Sequence, residues 1–299
     1  MAAERIRITV REGEAGTRLD RLLAEPLGSR AHAQRLIDSG RVRVDGRIRP
    51  KRHAVSAGEL IQVEPASEPA EDAPDEGAPF TIAYQDEFLL VVDKPAGVVV
   101  HPARGHRHGT LAQALGGLAA GGGEPQRAGI VHRLDRDTSG LLVVARSERV
   151  HRQLRSLLSS RALRREYLAL VEGHPSARTG TIDAPVGRDR RDRLAMSIDT
   201  DSPREARTHF EVEELLPHAA LLRVVLETGR THQIRVHLAA IGVPVSGDPV
   251  YGAAGRYGLE RQFLHAARLA FDHPVTHQRI DVRSELPEDL RAALERARG

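Results

Sequence analysis

The chain has 299 residues, enough for one large core or for two domains. Its 44 Lys and Arg nearly balance 41 Asp and Glu, for a net charge of +3, and the absence of Cys excludes disulfides and thiolate chemistry. No run is apolar for the length of a membrane span, and Met1-Ala2-Ala3-Glu4-Arg5 lacks the apolar core of a secretion signal, so a cytoplasmic protein with no membrane partner is expected.

The near balance hides an asymmetry. From Thr17 to His53, ten Arg or Lys stand against four acids, a net +6. From Glu64 to Pro79 there are six acids, four prolines and no base. This reads as a basic module at 1–63 and an acidic Pro/Ala-rich linker at 64–79 that lacks the apolar content to fold alone. A larger domain follows at 80–299.

In the basic module, Leu19, Leu22 and Leu23 have helical spacing. Ser29 suits the cap of a second helix carrying Ala33, Leu36 and Ile37, and Gly40 suits its stop. Arg41-Val42-Arg43-Val44 alternates, Asp45-Gly46 is a hairpin turn, and Arg47-Ile48-Arg49 returns. Leu60 to Val63 can close a small sheet. An alternating hairpin aims its arginines at one surface. Arg18, Arg30, Arg35, Arg43 and Arg47 are therefore candidate contacts to a polyanion, against the plainer reading of a solvated face. With no Trp, Tyr or Phe in this module, such binding rests on phosphate and shape rather than base stacking.

Beyond Phe80, strands are expected at Phe88 to Val92, Arg165 to Val171, Thr208 to Val212 and Leu221 to Leu226. Helices are expected after the caps Thr110 (Leu111, Ala114, Leu115, Leu118) and Ser147 (Val150, Leu154, Leu157, Leu158), over His232 to Ile241, and over Pro287 to Arg298. Gly116 to Gly123 reads as a loose loop. Strands neighbouring strands, with few helices between them, indicate an α+β fold with a mixed, largely antiparallel sheet.

Three polar constellations stand out. His132-Arg133-Leu134-Asp135-Arg136-Asp137-Thr138-Ser139-Gly140 lies between the apolar runs Gly129 to Val131 and Leu141 to Val144, so a carboxylate and its countercharge sit on a short loop walled by buried backbone. Tyr167 lies on the strand from Arg165, with its ring on the opposite face from Leu168. In Gly229 to Leu238, Ile234 and Leu238 face the core and turn Arg235 sideways, where it can pair with a buried carboxylate. Such a pair favours the ionised form and fixes its orientation.

Each of these residues also has a plainer reading. Asp135 alone is a turn-capping Asp, and Tyr167 alone a core tyrosine. Asp137-Thr138-Ser139-Gly140 departs from an aspartic-protease loop by its extra residue and has no second copy. His232 and His237 are not at the spacing of a zinc helix. His101, His106 and His108 have no supporting carboxylates. Gly121-Gly122-Gly123 lacks the Lys-Ser/Thr of a phosphate cradle.

The string H-R-L-D-x-x-T-S-G, the strand Arg165-Glu166-Tyr167-Leu168-Ala169-Leu170-Val171 and the run Gly229-Arg230-Thr231-His232-Gln233-Ile234-Arg235-Val236-His237 resemble the RluA/RluD-type pseudouridine synthases. Asp93-Lys94-Pro95-Ala96-Gly97, Gly247-Asp248 and Leu264-His265-Ala266 support the resemblance, which runs from about residue 80 to about 285. The module in front resembles the S4-type RNA-binding domain through G-T-R-L-D-x-L-L and S-R-x-x-x-Q-x-L-I-x-x-G-x-V-x-V-D-G. The resemblance implies a pseudouridine synthase fold and the isomerisation of uridines in large-subunit (23S) ribosomal RNA, without cofactor or metal. It implies Asp135, Tyr167 and Arg235 as catalytic residues, Arg133 as the residue that takes the place of an extruded nucleotide, and Arg230 and His232 as further RNA contacts. It implies ribosomal RNA or an assembling large subunit as partner and a monomeric enzyme. A tRNA-directed synthase on the same scaffold and a non-catalytic ribosome-assembly factor are the alternatives.

Overall fold

A computed structural model describes residues 6–27, 30–64, 78–102, 108–122, 129–192 and 195–299, without the side chains of residues 31, 32 and 35. The Ser29 cap, most of the 64–79 linker, the Arg35 side chain, His106 and Gly123 lie outside the described residues. The chain divides into two units, Met1–Pro74 and Asp75–Gly299.

The first unit is a four-stranded antiparallel sheet with two helices. Strands β1 (Ile6–Thr9), β2 (Val42–Val44), β3 (Arg47–Ile48) and β4 (Leu60–Val63) lie in the order β1-β4-β2-β3. Helices α1 (Leu19–Leu22) and α2 (Arg30–Asp38) supply Leu19, Leu23, Ala33, Leu36 and Ile37 to a core shared with Val42, Val44, Ile61 and Val63. The hairpin forms at Asp45-Gly46, where both residues have positive φ (46° and 74°), as a tight turn matched to strand twist requires. Two features depart from expectation. β1, from a stretch given no element, pairs with β4. The return strand β3 is only two residues long and lies at the sheet edge, with Ile48 57% exposed.

The second unit is built on a mixed nine-stranded sheet. Its strands are β5 (Thr81–Gln85), β6 (Leu89–Lys94), β7 (Ser139–Ala145), β8 (Arg164–Glu172), β9 (Thr179–Asp183), β12 (Arg207–Leu215), β13 (Ala219–Leu226), β14 (Leu264–Asp272) and β15 (Arg279–Arg283). The order is β5-β6-β7-β14-β8-β13-β12-β9, with β15 also pairing β14. Every pairing is antiparallel except β7 with β14, so the expected mixed, largely antiparallel sheet is the one observed. A separate two-stranded ribbon, β10 (Gly187–Arg188) with β11 (Met196–Ser197), was not foreseen; its strands are too short to show a period.

The central strands are buried on both faces, which explains their unbroken apolar runs. In β6 and β7, Leu90, Val92, Leu142 and Val144 enter one core, while Leu89, Val91, Leu141 and Val143 enter the other. Helix α4 (Glu148–Ser159) caps at Ser147, whose side chain accepts from Val150 N, and closes the second core with Val150 and Leu154. Helices α5 (Gln233–Ala240) and α6 (Glu288–Arg298) pack on the first through Ile234, Leu238, Leu290 and Leu294. Helix α3 (Leu111–Ala114) is one turn long, not the longer helix expected through Leu118. It stops before Gly116-Gly117, where Gly117 takes φ 80°.

Candidate active site

The strand order brings the three constellations together. β14 lies between β7 and β8 and pairs with both, at His265↔Ser139 in parallel and at His265↔Leu168 in antiparallel register. The loop that opens β7 therefore comes beside the strand that carries Tyr167. On its far edge β8 pairs with β13 at Val224↔Tyr167, and β13 runs out into the 227–232 loop and α5. Gly140 makes the close approach possible. It has φ 110°, and a Cβ there would collide with the Ala266 backbone.

The 132–138 loop is pinned through its backbone. The Lys94 ammonium, fully buried, donates to Arg136 O at 2.9 Å and to Pro95 O and Val98 O at 2.8 and 3.0 Å. Burial pulls this ammonium down to about 7. The charges of Asp137, Asp135 and Asp93 act the other way, and the three carbonyls match the three donors of an ammonium. Arg261 donates to Asp137 O at 3.0 Å and is itself held in a fork by Asp289 of α6. Gln262 donates to Thr138 Oγ1 at 3.2 Å. At the loop's start, His132 Nε2 accepts from Val143 N at 3.2 Å. Burial and the nearby Arg165 charge pull His132 down to about 3, so its ring stays neutral.

On this loop Asp135 keeps a side-chain exposure of 17% and faces Arg235 of α5. Arg235 NH1 donates to Asp135 Oδ2 at 3.3 Å. The stronger partner was not in the sequence reading of the site. Asp248, fully buried, takes Arg235 Nε at 2.6 Å and NH2 at 2.8 Å. Burial pushes the Asp248 carboxyl up, but the Arg235 bonds and charge, with the amides of Val250 and Tyr251, outweigh it and hold it below the usual carboxylate range. Arg235 is held likewise: burial works against its charge, and the Asp248 bonds and charge override that. Tyr251 completes the cradle, with its ring centroid 5.0 Å from the Arg235 guanidinium carbon and its hydroxyl 2.9 Å from His232 Nδ1. Asp248 and Tyr251 had no helical or strand period to betray them; only the short Gly247-Asp248 match pointed there.

His232, directly before α5, sits in the left-handed region (φ 56°, ψ 16°), a conformation unusual for a residue with a Cβ and found where surrounding contacts enforce it. Gln233 supplies those contacts. Its Oε1 accepts from Arg230 N and Thr228 Oγ1 at 2.9 and 2.8 Å, and its Nε2 donates to Arg207 O and Thr208 Oγ1 at 3.1 and 3.0 Å.

Asp135, Tyr167, Arg235, Arg133, Arg230 and His232 all line one cavity of about 860 Å³, within the usual range of ligand sites. Tyr167 is 5% exposed, and burial, offset in part by Arg165, pushes its hydroxyl above its ordinary value. Arg133 is exposed at the cavity rim. Arg230 donates from Nε to Glu205 O at 2.9 Å. His237 is outside the site, fully buried between Thr208 Oγ1 and Ala184 O. Among the described residues no group of three or more His, Asp or Glu is placed to hold a metal ion, and no helix is long and apolar enough to cross a membrane.

In the first unit two of the candidate arginines share one buried partner. Arg18 and Arg30 do not simply face outward. Arg18 donates to both oxygens of Asp20 at 3.0 and 3.2 Å, and Arg30 to Oδ2 at 3.1 and 2.9 Å, with Gln34 adding a third donor at 2.8 Å. Asp20 is fully buried and its carboxyl is held far below the usual range, by the Arg18 bonds first. Arg30 and Gln34 thus tie α2 to α1 and Arg18 braces the start of α1, with the arginine side chains 47% and 45% exposed. Arg43 and Arg47 remain on the exposed hairpin.

A pinned loop with a largely sheltered carboxylate, a buried tyrosine and a doubly anchored guanidinium thus share one cavity. The RNA pseudouridylate synthase family model matches residues 88–240, and the S4 domain model matches residues 17–61. The chain belongs to this pseudouridylate synthase family and carries an N-terminal S4 domain. It is 45% identical to an uncharacterized RNA pseudouridine synthase of Mycobacterium bovis over 97% of both chains. It is 42% identical to ribosomal large subunit pseudouridine synthase D of Xanthomonas campestris pv. campestris, over 94% of this chain and 89% of the relative. Among solved structures it resembles human RNA pseudouridylate synthase domain containing 1, at TM-score 0.57 and 29% identity over 72% of this chain and 86% of that one.

Proposed function

We propose that this protein is a monomeric cytoplasmic enzyme that isomerises specific uridines of large-subunit (23S) ribosomal RNA to pseudouridine, on free RNA or on the assembling subunit. The observation that carries the reading is Asp135 in the cavity, bonded to an Arg235 that Asp248 already fixes, with Tyr167 of β8 lining the same cavity. The names of relatives such as ribosomal large subunit pseudouridine synthase D support the substrate.

In this reading the target base leaves its stack, at a cost of a few kcal/mol, and Arg133 fills the gap. Asp135 acts at the sugar, as nucleophile at C1′ or as base on the C2′ proton. The N1–C1′ bond breaks, the uracil turns, and C5 bonds to C1′. Tyr167 stacks on the uracil; its hydroxyl, held protonated by burial, can take the C5 proton only by passing on its own. The exposed arginines of the first unit, with Arg230 and His232 in the cavity, contact the RNA.

The test is chemical mapping of pseudouridines in total RNA from cells with and without the gene. Loss of sites in 23S RNA is the expected result. A loss confined to tRNA moves the substrate to tRNA, and no loss anywhere leaves a ribosome-assembly factor.

A further inference from the structure

We propose that Arg165 contacts the target pyrimidine directly, donating to a carbonyl oxygen and stabilising the negative charge that the base carries once its glycosidic bond breaks. The proposal rests on the pseudouridine synthase reading above.

Arg165 is the buried cation of the cavity that no described carboxylate neutralises. It is 6% exposed and lines the cavity wall. The other arginines are engaged or outside. Arg235 holds Asp248 and Asp135, Arg161 pairs with Glu227 and Glu205, Arg230 binds a carbonyl, and Arg133 is exposed. Arg165 instead makes two long bonds, from NH2 to Leu226 O and Glu227 O, each at 3.4 Å. Its Nε is buried with no acceptor among the described residues. A guanidinium is rarely left so under-satisfied in a dry site, because each unmet donor carries its full desolvation cost.

Its position defines the ligand. Arg165 and Tyr167 are two apart on β8, so their side chains share one face and stand about 6.6 Å apart along the strand. A base lying on the Tyr167 ring has its edge toward Arg165. The edge of uracil carries the O2 and O4 carbonyls, both acceptors. Gly229 is shaped to the guanidinium from the opposite wall: a Cβ there would lie 2.8 Å from Arg165 NH1.

The chemistry gives this cation work. Whether Asp135 bonds to C1′ or removes the C2′ proton, the N1–C1′ electron pair leaves with the base. The detached uracil is then an anion whose charge spreads from N1 onto O2 and O4. After the turn that same pair bonds C5 to C1′, displacing Asp135 or adding as the C2′ proton returns. C5 then loses its proton and N1 gains one, so the balance is an isomerisation. A fixed donor aimed at O2 or O4 is stronger toward the anion than toward neutral uracil, which is the condition for accelerating bond cleavage.

The test compares wild type, Arg165→Met, Arg165→Lys and Gly229→Ala on transcripts of the large-subunit RNA made with either uridine or 5-fluorouridine. The fluorinated base leaves more readily as an anion and needs less help. The readouts are single-turnover cleavage of the N-glycosidic bond and RNA affinity. Arg165→Met is expected to slow cleavage of the uridine transcript roughly 10²- to 10³-fold with RNA affinity retained. Its deficit shrinks by about tenfold or more on the fluorinated transcript. Arg165→Lys falls between, and Gly229→Ala shows the same dependence on the base because it displaces NH1; these two carry the test if the Met variant does not fold. Equal deficits on both transcripts overturn the proposal. So does weaker binding with a flatter salt dependence, which marks a phosphate contact instead. A wild type that forms no pseudouridine removes the isomerase reading itself, whereas an active wild type with base-independent deficits removes only the Arg165 role.

Discussion

Asp248, and not Asp135, sets the position of Arg235, and the two carboxylates can be separated by replacing each with Asn. Asp248→Asn keeps the Oδ1 that accepts from Val250 N and Tyr251 N at 2.9 and 3.2 Å, so the change deletes mainly the charge. It keeps the 2.8 Å bond from Arg235 NH2 to Oδ1 but removes the charge and the 2.6 Å bond from Nε, so Arg235, 6% exposed as a side chain, retains only Asp135, at 3.3 Å, as a charged partner. Breaking a buried pair by removing one partner costs about 3–5 kcal/mol. In a domain of this size each kcal/mol shifts the melting point by about 2–4 °C, so a fall of roughly 6–20 °C is expected. Asp135→Asn loses one long bond to a partner that remains neutralised, which is worth about 1 kcal/mol and about 2–4 °C. Thermal unfolding of the full chain, followed in the catalytic unit, measures both. A double-mutant cycle with Arg235→Leu should give the larger coupling to Asp248. Equal melting-point losses for the two Asn variants would show that Arg235 is shared evenly, and the argument from bond geometry would fail.

Asp135→Asn should nevertheless abolish turnover while RNA affinity stays within about tenfold; measurable pseudouridine formed by a preparation free of wild-type enzyme refutes the role of this carboxylate. Tyr167→Leu should lose both binding and turnover, since stacking is worth about 1–3 kcal/mol per base, and Tyr167→Phe should keep binding and lose turnover; a Phe variant as fast as wild type leaves stacking as the sole role. Deleting residues 1–63 should leave the second unit folded, because the first has its own core, and should flatten the salt dependence of binding by about 0.7 per lost phosphate contact on single-stranded RNA; an unchanged slope means the module does not touch RNA. His132 is held neutral in the fold down to about pH 3, whereas the unfolded chain protonates it near its ordinary 6.5. The unfolded state therefore binds more protons between these values, and stability falls as pH drops through that window. The slope should be shallower in His132→Gln, measured by urea unfolding at pH 7, 5.5 and 4; identical slopes would mean that the ring is not sequestered.

Local physics made much of this protein legible in one dimension. The Asp45-Gly46 turn, the Ser147 cap, the doubly buried β7 and the sideways turn of Arg235 each follow from a pattern a few residues long, and the structure contains all four. The loop carrying Asp135 was visible for the same reason, a polar stretch between two apolar runs, although Gly129 to Val131, expected as a strand, makes only a single bridge, Ile130 with Val144. Choices among distant partners were not legible. Whether Arg235 takes Asp135 or Asp248 depends on where the 247–251 turn lands, and the segment before it is held by pairing to β8, Val245 with Val171 and Ser246 N with Leu170 O, rather than by any spacing. The arginines of the basic module look alike in sequence, yet Arg18 and Arg30, while staying exposed, each bond to the buried Asp20. Arg165 reads as one more charge on a strand until burial strips it of solvent and leaves it without a carboxylate. Charge and hydrogen-bond energies depend on distance and local dielectric, and both quantities exist only once the chain has closed on itself.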